Sequence, residues 1–141
     1  MSVSNEILKK ILKSNDLKVT KPRLALLSTL RQLAQPVTIS EILSTDSINA
    51  VMNQTTAYRS LEQMVAKKIL YKTHFQGEAA HYEWQDTHHH HITCSTCGYR
   101  EAIDSCPNDF GDKILIKKTN FSSIGNHVLE FFGTCQKCSA V

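Results

Sequence analysis

The sequence predicts an α+β chain in two unequal parts, a helical front followed by a smaller mixed domain, and three observations predict it. Apolar residues recur at helical spacing in four segments of the first half. Two short aromatic-rich runs, 69–75 and 79–84, then flank a turn at Gln76, Gly77 and Glu78, the mark of a β-hairpin. Two Cys-x-x-Cys pairs, Cys94 with Cys97 and Cys135 with Cys138, bracket what remains.

The elements follow in order. Val3, Ile7, Leu8, Ile11 and Leu12 predict an amphipathic helix over 3–14. Thr20 and Pro22 supply a cap and a first-turn proline for a second helix, carried by Leu24, Leu27 and Leu30 to about Leu33 and stopped by Pro36. Thr38 or Ser40 caps a short third helix that buries Ile39, Ile42 and Leu43. Asn53 to Thr56 start a fourth, whose buried stripe is Leu61, Met64 and Val65. Helices followed by a hairpin is the order of a winged helix-turn-helix, over residues 1–84. Gln85, Asp86 and Thr87 form a hinge. Strands over 90–94 and 99–104, a helix over 109–118 and a strand over 127–132 fill the second domain, 88–141.

With 141 residues the chain holds one ordinary domain or two small ones. It has no apolar run of membrane-spanning length, and its first residues lack the basic and apolar regions of a signal peptide. The expectation is a cytoplasmic protein without a membrane partner. Thiols stay reduced there, so paired cysteines read as metal ligands rather than disulfides. Charge is uneven: residues 1–84 hold 11 Lys+Arg against 7 Asp+Glu, and residues 85–141 hold 5 against 6. A basic front half suits a polyanion, although the excess is modest.

The two cysteine pairs are separated by 37 residues, so two distant turns can meet around one ion. Four thiolates leave no open position, which makes a structural zinc site from Cys94, Cys97, Cys135 and Cys138. Cys106 has no partner at matching spacing and reads as a small buried residue or a spare thiol. Residues 88–91 are four consecutive histidines, and only Ile92 and Thr93 separate them from Cys94. On a strand, His88 and His90 face one way and His89 and His91 the other, so the run can feed two metal sites. Glu83 and His81 precede the hinge, and Asp109 and His127 lie further along. A site drawing Glu83 or His81 from one domain and His89 and His91 from the other would span the hinge and fix the angle between domains. His74 reads as an ordinary polar residue of the wing.

Asn53 to Arg59 place small polar residues, then Tyr58 and Arg59, at a helix start. Such a helix can put its N-terminal end, with Thr56, into a major groove, where arginine pairs with guanine or phosphate. Arg23 and Lys18 can hold phosphates.

Four segments together resemble the ferric uptake regulator family of metal-dependent repressors: residues 19–23, residues 55–59, the histidine run through Gly98, and His127 through Cys138. The resemblance covers nearly the whole chain. It implies a homodimer with an N-terminal winged helix and a C-terminal dimerisation domain, binding palindromic double-stranded operator DNA when loaded with metal. It places the structural zinc on the four cysteines, the hinge sensing site on Glu83, His89 and His91, a second site on His88, His90, Asp109 and His127, and DNA reading on Tyr58 and Arg59. Two positions depart from the family pattern. The stretch from Gln35 to Thr38 lacks the histidine that iron- and peroxide-sensing members carry before the third helix, and Trp84 stands where zinc-sensing members often have a cysteine. His81 is the candidate for the missing nitrogen. The absent histidine and the Gly133 to Cys138 ending favour Zn2+ as the sensed ion, with Fe2+ or Mn2+ as the alternative. The expectation is a non-enzymatic repressor of metal-uptake genes. Iron or peroxide sensing is the second reading, and a zinc hydrolase built on Glu83, His89 and His91 is a remote third, with no small-molecule substrate expected.

Overall fold

Thr20 opens the helix that organises the front of the chain. Its hydroxyl accepts the Arg23 N–H at 3.4 Å, and Pro22, which has no N–H to orphan, occupies the first turn. That helix, α2 (Lys21–Leu33), ends at Ala34, whose left-handed φ of 50° lets its N–H reach back to Leu30. The computed structural model describes residues 4–75, 77–104, 116–124, 127 and 129–140. They divide into two units, Met1–Gln85 and Asp86–Val141.

In the first unit α1 (Asn5–Ser14) buries Leu8 and Leu12. A short strand β1 (Val37–Thr38) leads into α3 (Ile39–Leu43), closed by a capping box in which Thr38 and Glu41 satisfy each other's backbone N–H groups. The single-turn α4 (Asp46–Asn49) buries Ile48. Then comes α5 (Gln54–Ala66), the expected fourth helix, whose first N–H groups are capped by Asn53 accepting the Thr56 N–H at 2.9 Å. The helices meet in one apolar core: Leu8, Leu12, Leu26, Leu27, Leu30, Ile42, Ile48, Leu61 and Met64 are all fully buried. β2 (Tyr71–His74) and β3 (Ala80–Glu83) form the hairpin, and β1 pairs with β3 on its other edge, giving the order β1-β3-β2. The α+β winged-helix architecture follows the expectation. β1 and α4 were not expected, because two and four residues are too short for periodicity to show.

The hairpin is tied to α5 by a polar triad. Lys72 and Tyr82 are paired across β2 and β3, so their side chains share a face, and both meet Glu62 of α5. Tyr82 Oη donates to Glu62 Oε1 at 2.7 Å, and Lys72 Nζ does so at 2.7 Å. One residue further along α5, the Arg23 guanidinium donates to Gln63 Oε1 at 2.6 Å, and it also donates to the Lys18 carbonyl at 2.8 Å.

The second unit is built on β4 (His90–Cys94), with β5 (Arg100–Ile103) antiparallel on one side and β6 (Glu130–Gly133) parallel on the other. β5 starts one residue later than expected because the Tyr99 carbonyl accepts the Cys94 N–H at 2.7 Å, closing the first knuckle turn. β6 likewise begins at Glu130, so His127 precedes the strand. The short α6 (Gln136–Ser139) carries the last knuckle. The expected helix over 109–118 falls largely outside the described residues, as do Asp109 and Cys106.

Replacing Leu61 with Ala removes a fully buried side chain from α5 and should cost about 2–5 kcal/mol in chemical denaturation. The Lys72 ammonium first, then the Tyr82 hydroxyl, hold the Glu62 carboxyl below its ordinary pKa, with His74 adding a smaller pull. A depressed carboxylate contributes stability that is full above the unfolded pKa and is lost as pH falls through the folded one. Glu62→Gln should therefore destabilise the protein by about 1 kcal/mol near neutrality. The gap should close below about pH 4, as followed by urea titrations across pH.

Candidate metal centres and reading helix

Three groups of donors converge on β4. At its C-terminal end, the knuckle turn is made by the Gly98 N–H donating to the Cys94 carbonyl at 2.9 Å, with Gly98 at a φ of +79° that other residues rarely adopt. The second knuckle arrives at the end of β6, where the Gly133 carbonyl accepts the Ser95 N–H at 2.9 Å and the Cys135 N–H points at Cys94 Sγ at 3.3 Å. The sulfurs of Cys94, Cys97, Cys135 and Cys138 all lie within 4.8 Å of one another. Cys97 Sγ and Cys135 Sγ are 3.7 Å apart. A tetrahedron with zinc–sulfur bonds of about 2.3 Å has edges of about 3.8 Å, so the four thiols fit a closed zinc shell. The Cys135 N–H, then that of Cys97, bring the Cys94 thiol down to about 6. Cys138 is pushed up to about 12 because its proton is shared with the Cys135 and then the Cys97 sulfur. Zinc in this shell would supply the charge that displaces those protons.

On one face of β4, His90 meets His88 and His127. Their Nε2 atoms are 3.1 Å (His88 to His90), 3.3 Å (His88 to His127) and 3.3 Å (His90 to His127) apart. About 3.3 Å is the edge of a tetrahedron with metal–nitrogen bonds of about 2.0–2.1 Å, so the three imidazoles form a ready triangular face. Burial, then the charges of His88 and His127, hold His90 below the ordinary imidazole pKa and keep it in the neutral form that ligates. Asp109, expected as the remaining donor, lies outside the described residues.

The opposite face carries His89 and His91, with ring centres 4.9 Å apart. The Thr87 carbonyl lies 3.1 Å from His89 Nδ1 and can only accept, so that nitrogen is the protonated one. Glu130, opposite His91 on β6, was absent from the sequence-based expectations. A lone acid in the apolar run 128–132 was its available signal.

In the first unit, Glu83 is buried at the end of β3 and accepts from Gln85 Nε2 at 2.9 Å. His81 projects to the same side of that strand. Its Nδ1 faces the Ala79 carbonyl at 2.7 Å and its Nε2 faces Glu78 at 3.3 Å, so both ring nitrogens have partners on the wing. Trp84 packs under Arg31, whose guanidinium carbon is 5.2 Å from the ring centre. On α5, Thr56, Tyr58 and Arg59 are exposed while Ala57, Ser60, Leu61 and Met64 face the core. Lys18 is exposed. Arg23 is engaged by Gln63 and Lys18, which anchors α2 to α5.

Cys94→Ser or Cys135→Ser breaks the closed shell. Either variant should lose its bound zinc, measured by elemental analysis. It should also lose the cooperative melting of the second unit, since binding and folding share one free energy at such a site.

The chain is similar to known proteins along most of its length. The family model described as the ferric uptake regulator family matches residues 14–132. The chain is 31% identical over 137 residues to the ferric uptake regulation protein of Neisseria gonorrhoeae, covering 92% of this chain and 91% of that one. It is 32% identical over 135 residues to that of Yersinia pestis, covering 90% and 87%. The crystal structure of the Vibrio cholerae ferric uptake regulator superposes with a TM-score of 0.70 at 30% identity, covering 90% of this chain and 98% of that one. No described helix is long and apolar enough to cross a membrane. The chain belongs to the ferric uptake regulator family.

Proposed function

We propose that the protein is a homodimeric, metal-responsive repressor that binds palindromic operator DNA, with Zn2+ as the sensed ion and metal-uptake genes as its targets. The observation that carries this reading is the pairing of His89 with His91 on one face of β4, directly after the hinge, with the His89 tautomer set by the Thr87 carbonyl. Glu83 is the carboxylate contributed from before the hinge. His81 joins the set only by releasing Glu78. An ion bound by Glu83, His89 and His91 supplies the charge that links the two units. Glu83 then acts as the handle of the winged helix, because β3 is tied through Tyr82 to Glu62 of α5. Tyr58, Arg59 and Thr56 read bases, Lys18 holds phosphate, and Arg23 sets the seat of α5. Two such helices, one from each protomer, fit successive major grooves.

The zinc reading is supported by the missing histidine between Gln35 and Thr38 and by the Gly133 to Cys138 ending. An iron reading is favoured by a separate observation: the relatives above are named ferric uptake regulation proteins, and Glu83, His89 and His91 offer oxygen and nitrogen only. Operator binding at buffered free metal, without oxygen, on protein carrying its structural zinc, decides between them. Zinc sensing requires that binding switch on at very low free zinc and not with iron or manganese at cellular levels. The reverse order assigns the protein to iron. In either case His89→Ala or His91→Ala should reduce metal-dependent operator affinity by about 10- to 100-fold while leaving a zinc-containing dimer. Unchanged affinity in both variants would sink the proposal.

A further inference from the structure

The face of the second sheet that carries His91 also holds a carboxylate oxygen without a partner. β6 runs parallel to β4 with Glu130 opposite His91, and paired residues of neighbouring strands project to the same side. On the other flank of β4 the residue opposite His91 is Ala102, which has no donor atom. His89 shares that face, as its ring contact with His91 shows. Glu130 Oε1 is shut off from solvent and has no hydrogen-bond partner among the described residues. A carboxylate oxygen in that state loses its hydration and receives nothing in return, which native structures rarely tolerate without a reason. Its sequence neighbours, Leu129 and Phe131, offer no polar group. On β4, His91 lies directly opposite Glu130, with His89 and Thr93 two residues to either side, and the Thr93 hydroxyl already accepts from Arg100 Nε at 3.2 Å. Two imidazoles and a carboxylate are a donor set for a divalent transition metal.

We propose that Glu130 is a ligand of the regulatory ion, supplying from β6 a carboxylate oxygen to the shell that His89 and His91 begin on β4. This rests on the metal-responsive reading of those two histidines. Neighbouring strands lie about 4.8 Å apart, and glutamate and histidine side chains both extend well beyond Cβ. Meeting His89 and His91 at a common ion, with metal–donor distances of about 2.0–2.2 Å, requires the Glu130 side chain to rotate toward them. His81, the donor suggested by the sequence, would have to give up Glu78 to join, whereas Glu130 Oε1 has no contact to give up. A carboxylate from β6 makes a harder donor set than one containing thiolate, which moves its preference toward iron and manganese.

The test uses the full-length chain carrying its four-thiolate zinc, in a His90→Ala background that silences the other histidine cluster. Cobalt(II) is titrated against a competing chelator into this protein and into its Glu130→Ala, Glu130→Gln and His91→Ala derivatives. The parent should take up one cobalt with a visible d–d spectrum. Both Glu130 variants should bind it at least about tenfold more weakly and with a changed d–d band. They should keep their structural zinc and be no less stable than the parent before cobalt is added, because a stranded carboxylate has been removed. Affinity within twofold of the parent overturns the inference. So does weaker binding with an unchanged spectrum, which makes Glu130 a positioning residue only. If His91→Ala also binds cobalt normally, the regulatory-site reading itself fails. If His91→Ala loses the ion and the Glu130 variants do not, only the inference fails.

Discussion

The two-residue period of β4 is the constraint on which the rest of the second unit depends. In five residues and the two before them, alternation sends His88 and His90 to one face and His89 and His91 to the other, and the strand ends on Cys94. A slip of one residue would exchange the two histidine pairs and turn the cysteine away from its knuckle. The register is held from both sides: by β5, through the pair His90 and Ile103, and by β6, through the pair Cys94 and Gly133. The metal chemistry is therefore a property of strand pairing as much as of ligand identity.

The winged helix depends on a different device. α5 presents Tyr58 and Arg59 outward and is held behind them by two polar ties, Glu62 to the hairpin and Gln63 to Arg23. These ties use directional hydrogen bonds where the apolar core alone would allow the helix to roll about its axis. Tyr82 is nearly inaccessible, and its hydroxyl reaches the carboxylate at the edge of the core. Burial, then Glu62, raises the Tyr82 pKa, so the hydroxyl remains a donor throughout the physiological range.

Local chemistry was legible in the sequence and tertiary register was not. The Thr20 and Asn53 caps, the Pro22 first turn and the hairpin at Gly77 are properties of a few adjacent residues, and each lies where the sequence places it. Cys-x-x-Cys spacing likewise announces a turn and, twice, a closed shell. The histidine run could be divided between two faces on strand geometry alone. By contrast, Glu130 gains meaning only because β6 lies parallel to β4, a pairing of residues 39 apart that no local pattern encodes. Lys72, Tyr82 and Glu62 are ordinary residues in isolation, and their triad exists only once the hairpin has folded against α5. Arg23, expected from its charge to hold phosphate, also bridges two helices through Gln63, a link that no local pattern encodes.

Trp84 is the chain's single tryptophan, and it lies one residue beyond Glu83. Its indole rests under the Arg31 guanidinium, at the last turn of α2. Light emitted by the protein in the indole band thus originates at one point, beside the carboxylate of the winged unit nearest the hinge. The molecule carries its own optical gauge there: any event that alters the electric field or solvent around that stack changes the colour or yield of the whole protein's fluorescence, with no label attached.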